Sequence, residues 1–476
     1  MLCACASAPG QRDLDRLLDG ACLSGAQSGV LVKSLKTGAT LYARNPEKLL
    51  IPASNMKLFT TAVALVRLGP DFRYETALYA DAEVLEGVLE GNLIVRGSGD
   101  PTITARFHPS ATAVFEAWAL RLEALGVREV TGGIIADDRL FDDQYLGRGW
   151  AWDDEVHCYS AQVNALSFND NRILLNVNPG PAAPDRASVA LEPATKYVTV
   201  ENSVVTVDPT GETVLIVSRA PGGNVIRIGG QAAANGPAEA LCVTVHDPAL
   251  FAATVLREIL EDRGIRVHGP VRRPGAGPEP GPAGFGNPPA GERRLLAVYT
   301  SPPLREIVKQ INKPSQNLYA ELLFKTLGAQ LAGEGSARAA AGVMAGTLSD
   351  WGIPSSSIVI QDGSGLSRMN LVSPEGMVSL LAYMYRQPDF RVFHESLPQA
   401  GREGTLARRM RFTEAEGQVR AKTGTLTHHI NLSGYITMPD GEVLAFAIMN
   451  NNSVCPLPEV RRLQDEFCLQ LLHLAR

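Results

Sequence analysis

The two ends of this chain share one pattern of predicted helices and strands, and the middle of the chain has another. Residues 28–46 alternate in the manner of a β-hairpin around a Lys-Thr-Gly turn, and an apolar helix follows directly. From residue 294 onward, long helices lead to a terminal hairpin and a closing helix. Because strands and helices are mixed at both ends, the pattern predicts an α+β fold in which one domain is built from both chain ends.

The changes in the pattern of predicted helices and strands along the chain predict three domains. A terminal domain made of both ends would carry two smaller domains inserted at surface loops, where insertions are best tolerated. The predicted divisions are 1–69 plus 294–476 for the terminal domain, 70–164 plus 246–293 for an inserted α/β domain with a linker, and 165–245 for an inserted small β domain. Residues 269–292 are so rich in Gly and Pro that they are expected to form a loop or linker.

Composition excludes several classes of function. With 44 basic and 50 acidic residues, the net charge of -6 argues against a nucleic-acid partner. No apolar run reaches the roughly 18–20 residues of a transmembrane helix. The seven cysteines form no C-x-x-C pair and no H-E-x-x-H occurs, so neither a metal nor a cofactor is expected. An odd count leaves at least one thiol unpaired, and Cys22 is expected to meet Cys468 if the terminal helices pack together.

The N-terminus raises a question of processing. Ala6-Ser7-Ala8 is similar to a signal cleavage site, but no apolar stretch precedes it, which suggests the tail of a truncated signal peptide. The sequence "LCAC" weakly resembles a lipoprotein attachment site at Cys5, and a disordered tail is the alternative interpretation.

Three short clusters of polar residues interrupt apolar segments near the predicted ends of helices and strands. Ser54 and Lys57 open the helix "IPASNMKLFTTAVAL", Ser315 and Asn317 precede the helix of "NKPSQNLYAELLFK", and a Lys-Thr-Gly triplet at 422–424 lies on a strand. Taken singly, each has an ordinary structural explanation, such as a helix cap or a lysine that extends to solvent. Their order, S-x-x-K then S-x-N then K-T-G, is that of penicillin-binding proteins and serine β-lactamases.

The first cluster, Ser54 and Lys57, has the chemistry of a nucleophile with its base. Residues three apart on a helix lie on one face, so Lys57 can hydrogen-bond Ser54. Burial and the neighbouring cation Lys422 are expected to lower the pKa of Lys57 until its neutral amine can accept the Ser54 proton. The helix N-terminus favours a developing alkoxide.

The other two polar clusters supply the remaining parts of an acyl-transfer site. Ser315 can relay a proton between Lys57 and a leaving amine, and Asn317 can either donate to a substrate carbonyl or hold Lys57. Lys422 offers a fixed positive charge to a substrate carboxylate, and Gly424 is expected to leave room for substrate against the strand. The backbone N–H groups of Ser54 and Thr425 are the expected oxyanion hole.

On these motifs the chain resembles the class-C low-molecular-mass penicillin-binding proteins, a D-alanyl-D-alanine carboxypeptidase/endopeptidase family. The similarity covers nearly the whole chain from about residue 15, through "VRGSGDPT", "GWAWDDEVHCYSAQVNAL" and "DGSGLSRMN". It implies a β-lactamase/transpeptidase-like fold in which the terminal domain is the catalytic penicillin-binding domain, with an antiparallel sheet between helices. Lys57 and Ser315 are 258 positions apart, which leaves room for two inserts that small β-lactamases lack.

The resemblance also implies a substrate site. Asp154 in "AWDD" is similar in position to an aspartate that receives the side-chain amine of a peptidoglycan stem peptide, and Arg368 in "GLSRMN" resembles an arginine that reaches the side-chain carboxylate. Without the resemblance, both would be read as solvated loop residues. Gln316 in the middle of S-x-N is expected to point away from the nucleophile. The expected substrate-binding residues are Thr423, Gly424, Thr425, Leu426, Asp154 and Arg368.

The sequence therefore predicts a serine DD-peptidase that acts on stem peptides through an acyl-enzyme and is acylated by β-lactams. The alternatives are a β-lactamase or esterase on the same scaffold, for which no dedicated deacylating carboxylate is evident, and a catalytically idle peptidoglycan-binding module. A peptidoglycan substrate places the protein outside the cytoplasm, on the periplasmic or cell-wall side. The balance of exopeptidase and endopeptidase activity does not follow from the sequence.

Overall fold

The structure, a computed structural model, describes residues 9–275 and 294–474. Both helices and strands are abundant in it, as the α+β prediction requires. The α-helices are α1 Pro9–Asp19, α2 Met56–Leu68, α3 Ala113–Ala124, α4 Pro248–Asp262, α5 Leu304–Asn312, α6 Asn317–Ala332, α7 Ala337–Asp350, α8 Pro374–Tyr385, α9 Phe390–Ser396 and α10 Leu457–Leu472.

The strands fall into three groups along the chain, two near the ends and one through the middle. The first and middle groups are β1 Gln27–Ser34, β2 Thr40–Arg44, β3 Glu75–Ala80, β4 Val84–Leu85, β5 Val88–Leu89, β6 Leu93–Arg96, β7 Glu129–Val130, β8 Ile134–Asp137, β9 Arg172–Asn178, β10 Ser188–Glu192, β11 Thr199–Asn202, β12 Val205–Val207, β13 Val214–Arg219, β14 Val225–Ala233, β15 Glu239–Thr244, β16 Arg266–Val267 and β17 Val271–Arg272. The last are β18 Arg294–Thr300, β19 Ile358–Val359, β20 Leu371–Val372, β21 Val419–Leu426, β22 His429–Thr437 and β23 Val443–Asn451.

Strands from both ends of the chain form one antiparallel sheet. Its order is β2-β1-β23-β22-β21, so the first hairpin pairs directly with the last strand of the chain. Strand β21, which carries the Lys-Thr-Gly triplet, lies at an edge. Residues 398–400 bond the first half of its outer edge at Val419 and Ala421, which leaves the backbone from Thr423 onward available on that side.

Helices cover both faces of this sheet, because its strands are apolar on both sides. In β23, Leu444, Phe446 and Ile448 pack in a core with α1 and α10. The alternate residues Ala445 and Ala447 pack in a second core with α2, α5, α6 and α8. A strand with period-two side chains can serve two cores only when it lies between two helical layers, as predicted.

The chain between β18 and α7 has a break that concerns the site. Two helices, α5 and α6, are separated there by residues 313–316. Pro314 cannot continue the hydrogen-bonding pattern of a helix, and Ser315 adopts a left-handed backbone with φ +64°. The break turns Ser315 out of the helix and presents it at a helix end.

The middle of the chain forms several smaller sheets that share one hydrophobic core. This core includes Leu78 and Val95 from 70–164 and Leu175 and Ile228 from 165–245. Strand β18, which the sequence assigned to the terminal domain, pairs with β3 of the middle segment. The division into one catalytic domain and two inserts stays a prediction.

Two disulfides connect distant parts of the chain. Cys22 pairs with Cys455, and Cys158 pairs with Cys242, while Cys468 is buried as a free thiol. The predicted pairing of Cys22 with Cys468 is wrong because Cys468 faces the core on the inner side of α10, whereas Cys455 lies just before that helix. The residues behind the signal-peptide and lipoprotein interpretations, and most of the predicted linker, lie outside the described residues.

Within residues 9–275 and 294–474, every helix is too short or too polar to traverse a lipid bilayer.

Candidate active site

Ser54 lies in a tight turn at the entrance to α2. The turn is a 3₁₀ segment, Ala53–Asn55, and Ala53 has a left-handed backbone with φ +47°. A non-glycine residue in this region is strained, and such strain is held in place by surrounding structure. Gly365 packs so closely beneath the turn that a Cβ there would overlap the Ala53 carbonyl. The nucleophile turn is thus fixed by backbone packing.

The amine of Lys57 is completely buried and has three hydrogen-bond acceptors. Its Nζ lies 3.0 Å from Ser54 Oγ, 2.6 Å from Asn317 Oδ1 and 2.7 Å from the Ser364 carbonyl. Burial lowers the pKa of Lys57 to about 7, even though the charges of Asp362 and Glu321 act to raise that pKa. A large fraction of Lys57 is therefore neutral near pH 7, as a base for Ser54 requires.

The cause of this shift was predicted in part. Burial is the dominant cause, as expected, but Lys422 is not among the groups that lower the pKa of Lys57. Instead, the charge of Lys57 affects Lys422. Burial, and after it the charge of Lys57, hold the pKa of Lys422 well below its usual value. Two buried amines next to each other disfavour being protonated at the same time.

Two buried carboxylates lie behind Lys57, and sequence reasoning missed both. Glu321 Oε1 accepts a 2.6 Å hydrogen bond from the Ser364 backbone N–H, which fixes the carbonyl that receives Lys57. Asp362 accepts from the N–H groups of Gly365 and Ser367 and so closes the same loop. Burial and the nearby charge of Asp362 raise the pKa of Glu321. The signal in the sequence was a glutamate alone in the apolar run "NLYAELLF".

Ser315 contacts a different lysine from the one expected. Lys422 Nζ lies 2.8 Å from Ser315 Oγ and 2.9 Å from the Thr423 carbonyl. The predicted relay from Lys57 through Ser315 stays a prediction, since the hydroxyl of Ser315, on a left-handed backbone, bonds Lys422. The amine beside Ser315 is therefore that of Lys422.

Asn317 holds the base instead of facing a substrate. Its Oδ1 accepts from Lys57, and its Nδ2 donates 2.8 Å to the Tyr159 carbonyl. Of the two roles that the sequence left open, this geometry fits the second. Gln316 bonds its own helix end through the Leu318 N–H, which agrees with a side chain directed away from Ser54.

The edge strand presents backbone donors at the nucleophile. The Ala421 N–H donates outward to the Pro398 carbonyl, so the alternate residues Thr423 and Thr425 also direct their N–H groups to that edge. The expected reason for Gly424 is wrong. A Cβ at Gly424 would lie 2.6 Å from the Pro52 carbonyl, so the glycine allows the strand to approach the nucleophile turn.

A cavity of about 410 Å³ opens beside Ser54. Asp154, Arg368 and Leu426 all line this space. Tyr159 donates a 2.5 Å hydrogen bond to Asp154 Oδ1, and Arg368 donates to the Thr427 carbonyl at 3.2 Å. The lining residues are Ser54, Asp154, Tyr159, Ser315, Asn317, Gly365, Leu366, Arg368, Thr425, Leu426 and Thr427.

Comparison with known families gives one match that spans almost the whole chain. The model of the D-Ala-D-Ala carboxypeptidase 3 (S13) family matches residues 11–468. A D-alanyl-D-alanine carboxypeptidase of Actinomadura sp. (strain R39) is 37% identical, over 98% of this chain and 85% of that protein. D-alanyl-D-alanine carboxypeptidase DacB of Haemophilus influenzae is 29% identical, over 89% of this chain and 85% of that protein.

Solved structures with the same fold span the chain equally well. Penicillin binding protein 4 of Haemophilus influenzae superposes with a TM-score of 0.81 at 24% identity, covering 98% of this chain and 100% of that one. The same protein complexed with a β-lactam has a TM-score of 0.77 at 25% identity, covering 98% and 99%. The α+β, transpeptidase-like fold is confirmed by these superpositions.

Proposed function

The chain belongs to the D-Ala-D-Ala carboxypeptidase 3 (S13) family and is a serine-type peptidase of that family, and we propose that Ser54 is its nucleophile and Lys57 its general base. The observation that carries the assignment is the 3.0 Å contact between Ser54 Oγ and the buried Lys57 amine. A serine is activated when an adjacent base accepts its proton, and a lysine serves only when its amine is neutral.

Acylation then follows from the geometry. Ser54 Oγ attacks the carbonyl of the penultimate D-alanine while its proton passes to Lys57. The backbone N–H groups of Ser54 and Thr425 receive the developing oxyanion. Donors held in place in this way are worth about 3–4 kcal/mol each in comparable sites. The strained turn at Ala53 and the edge position of β21 supply that preorganisation.

The leaving amine takes its proton from Ser315. As the C–N bond of the tetrahedral intermediate breaks, Ser315 Oγ protonates the departing nitrogen and regains a proton from Lys422, 2.8 Å away. In deacylation, the attacking water gives its proton through Ser315 to the now neutral Lys422, and Lys57 returns the proton that it took from Ser54 as the ester bond breaks. A substrate carboxylate that enters beside Lys422 favours the ammonium form of that lysine and so keeps the acid charged.

The cavity beside Ser54 suits the side chain of a peptidoglycan stem peptide. Asp154 can pair with an amine and Arg368 with a carboxylate, so together they match a side chain that carries one or both. We infer that stem peptides are the substrates and that β-lactams acylate Ser54, as a β-lactam is bound in the penicillin binding protein 4 complex.

The two alternatives find less support. Among the described residues that line the cavity, Asp154 is the only acidic one, and it already accepts from Tyr159, so none of them offers a free carboxylate to activate water as in a β-lactamase. An idle binding module would not need a lysine whose pKa is lowered to about 7 beside a serine.

An extracytoplasmic location has independent support in the disulfides. Cys22–Cys455 and Cys158–Cys242 are of the structural kind that persists in oxidising compartments. A peptidoglycan substrate is found in the same compartments.

Mass spectrometry of the intact protein after benzylpenicillin tests the assignment. We expect one covalent equivalent on the wild type, none on Ser54→Ala and one on Ser355→Ala, an exposed serine in another 3₁₀ turn. Slow decay of the adduct separates a peptidase from a β-lactamase, which would release it quickly. Labelling of Ser54→Ala would refute the proposal.

A further inference from the structure

A second cavity, of about 220 Å³, meets the first at the nucleophile. Both cavities include Ser54, Ser315 and Thr425 in their linings. The second differs from the first in that two arginines, Arg409 and Arg461, line it. The described residues of its lining, none of them acidic, are Ser54, Ser315, Thr405, Arg409, Thr423, Thr425 and Arg461.

The guanidinium of Arg409 is held in place from behind. It donates to Asp465 Oδ1 at 2.9 Å, to the Arg461 carbonyl at 3.1 Å and to Gln464 Oε1 at 3.2 Å. Three acceptors on α10 fix its orientation, and only 11% of its side chain is exposed. A cation anchored in this way needs little further ordering to bind an anion.

The guanidinium of Arg461 is not balanced by an acid. Within residues 9–275 and 294–474 it forms no ion pair, and the only carboxylate that acts on it, Asp465, is already paired with Arg409. Burial and the charge of Arg409 both lower the pKa of Arg461. Two guanidiniums that share one carboxylate leave an excess of positive charge in the lining of this cavity.

The place of this charge relative to the reaction follows from the proposed function, on which the present inference rests. Attack by Ser54 divides a substrate into an acyl half and a leaving half. The acyl half lies in the cavity of Asp154 and Arg368. The leaving half then lies beside Thr423, which lines the second cavity and not the first, and this is the cavity of the two arginines.

We propose that Arg409 and Arg461 form a subsite for a second carboxylate on the leaving amine, beyond the carboxylate that Lys422 and Thr423 hold. Free D-alanine has only one carboxylate. An acidic amino acid, a dicarboxylic diamino acid or an acidic peptide joined through its amine carries a second. The enzyme therefore favours peptides whose leaving group bears this extra charge.

Three synthetic peptides test the proposal directly. They share one acyl portion and end in D-Ala-D-Ala, D-Ala-D-Gln or D-Ala-D-Glu, so that the last two differ only in an amide against a carboxylate. We expect wild-type kcat/KM to be about 10- to 100-fold higher for the D-Glu peptide than for the D-Gln peptide, as one charge-assisted hydrogen bond implies. The ratio should fall as salt is raised, since the site is open to solvent.

Arg461→Gln is the test variant and Arg462→Gln its matched control. Arg462 is the next residue of the same helix, but it pairs with Glu459 at 3.2 Å on the exposed face. We expect Arg461→Gln to lower the D-Glu to D-Gln ratio about tenfold, as expected for a lost charge-assisted contact, and Arg462→Gln to leave it unchanged.

Two results would overturn the subsite. One is a wild-type ratio near one. The other is an equal loss on all three peptides in Arg461→Gln, which would mean that the arginine holds the carboxylate common to them. Neither result would affect the assignment of Ser54, which is refuted separately if Ser54→Ala still binds benzylpenicillin covalently.

Discussion

The side chains of Lys57 and Asn317 share a 2.6 Å hydrogen bond across 260 positions of the chain. Asn317 is held in turn by the Tyr159 carbonyl, which comes from the middle segment. The amine of Lys57, the proposed base, is thus positioned from three separate parts of the chain. This arrangement explains why a buried lysine keeps one orientation toward Ser54, and it makes Asn317 a residue whose charge should control the base.

Acylation by benzylpenicillin should rise with pH through about 7 and level off above it. The active form of Lys57 is the neutral amine, and its pKa is lowered to about 7, so the neutral fraction grows as pH increases through that value. Second-order acylation rates between about pH 5 and pH 9 measure the effect. A rate that is constant over this range would contradict the role of Lys57.

Asn317→Asp should move this pH profile upward. A carboxylate 2.6 Å from the amine favours the ammonium form and raises the pKa of Lys57, so acylation at pH 7 falls and recovers at higher pH. The change should be about one pH unit or more, as for opposite charges in contact. Gln316→Glu is the control, because Gln316 bonds the Leu318 N–H and not Lys57. An equal shift in both variants would indicate a general effect of charge instead.

Asp154→Asn should impair substrates that carry a side-chain amine while sparing benzylpenicillin. The carboxylate lines the 410 Å³ cavity and is not among the charges that act on Lys57, so it should affect recognition and not the base. Loss of a charge-assisted contact predicts a decrease in kcat/KM of about 10- to 100-fold. Asp153→Asn, the exposed neighbour outside the lining, should retain both activities. Equal losses on the peptide and on penicillin would refute this role.

Gly424→Ala should slow acylation even though the new methyl group does not touch substrate. Its Cβ would lie 2.6 Å from the Pro52 carbonyl, so either β21 or the nucleophile turn has to move. Overpacking of this kind costs about 1–3 kcal/mol in stability, which thermal unfolding measures. Gly342→Ala in α7 meets nothing within 4 Å and should stabilise instead, by about 0.5–1 kcal/mol. Normal acylation by Gly424→Ala would show that the turn tolerates displacement.

Removal of the Cys22–Cys455 disulfide should destabilise the protein more than removal of Cys158–Cys242. The first links residues 433 positions apart and the second residues 84 apart, so the first restricts the unfolded chain more. Double alanine variants should lose about 2–5 kcal/mol, with a difference of about 1 kcal/mol between them. Calorimetric unfolding of the two variants gives the comparison, and the reverse order would indicate that native contacts dominate.

Much of the fold and the chemistry followed from local pattern. The alternation of β23 and the apolar runs of α2 and α6 indicated a sheet between helices. The spacing of Ser54 and Lys57 placed both on one helical turn, because that spacing is a property of the helix itself. The order of the three motifs indicated acyl transfer before any contact was known.

The sequence by itself determined which residue types were available to the site, since helical and strand periods are local. Only the tertiary structure decided their partners: Lys422 for Ser315, Tyr159 for Asn317, and the Pro52 carbonyl against Gly424. It also revealed the buried Glu321 and the arginine pair at Arg461. These contacts join residues far apart in the chain, and their distances depend on how whole helices and strands pack, which no local spacing specifies.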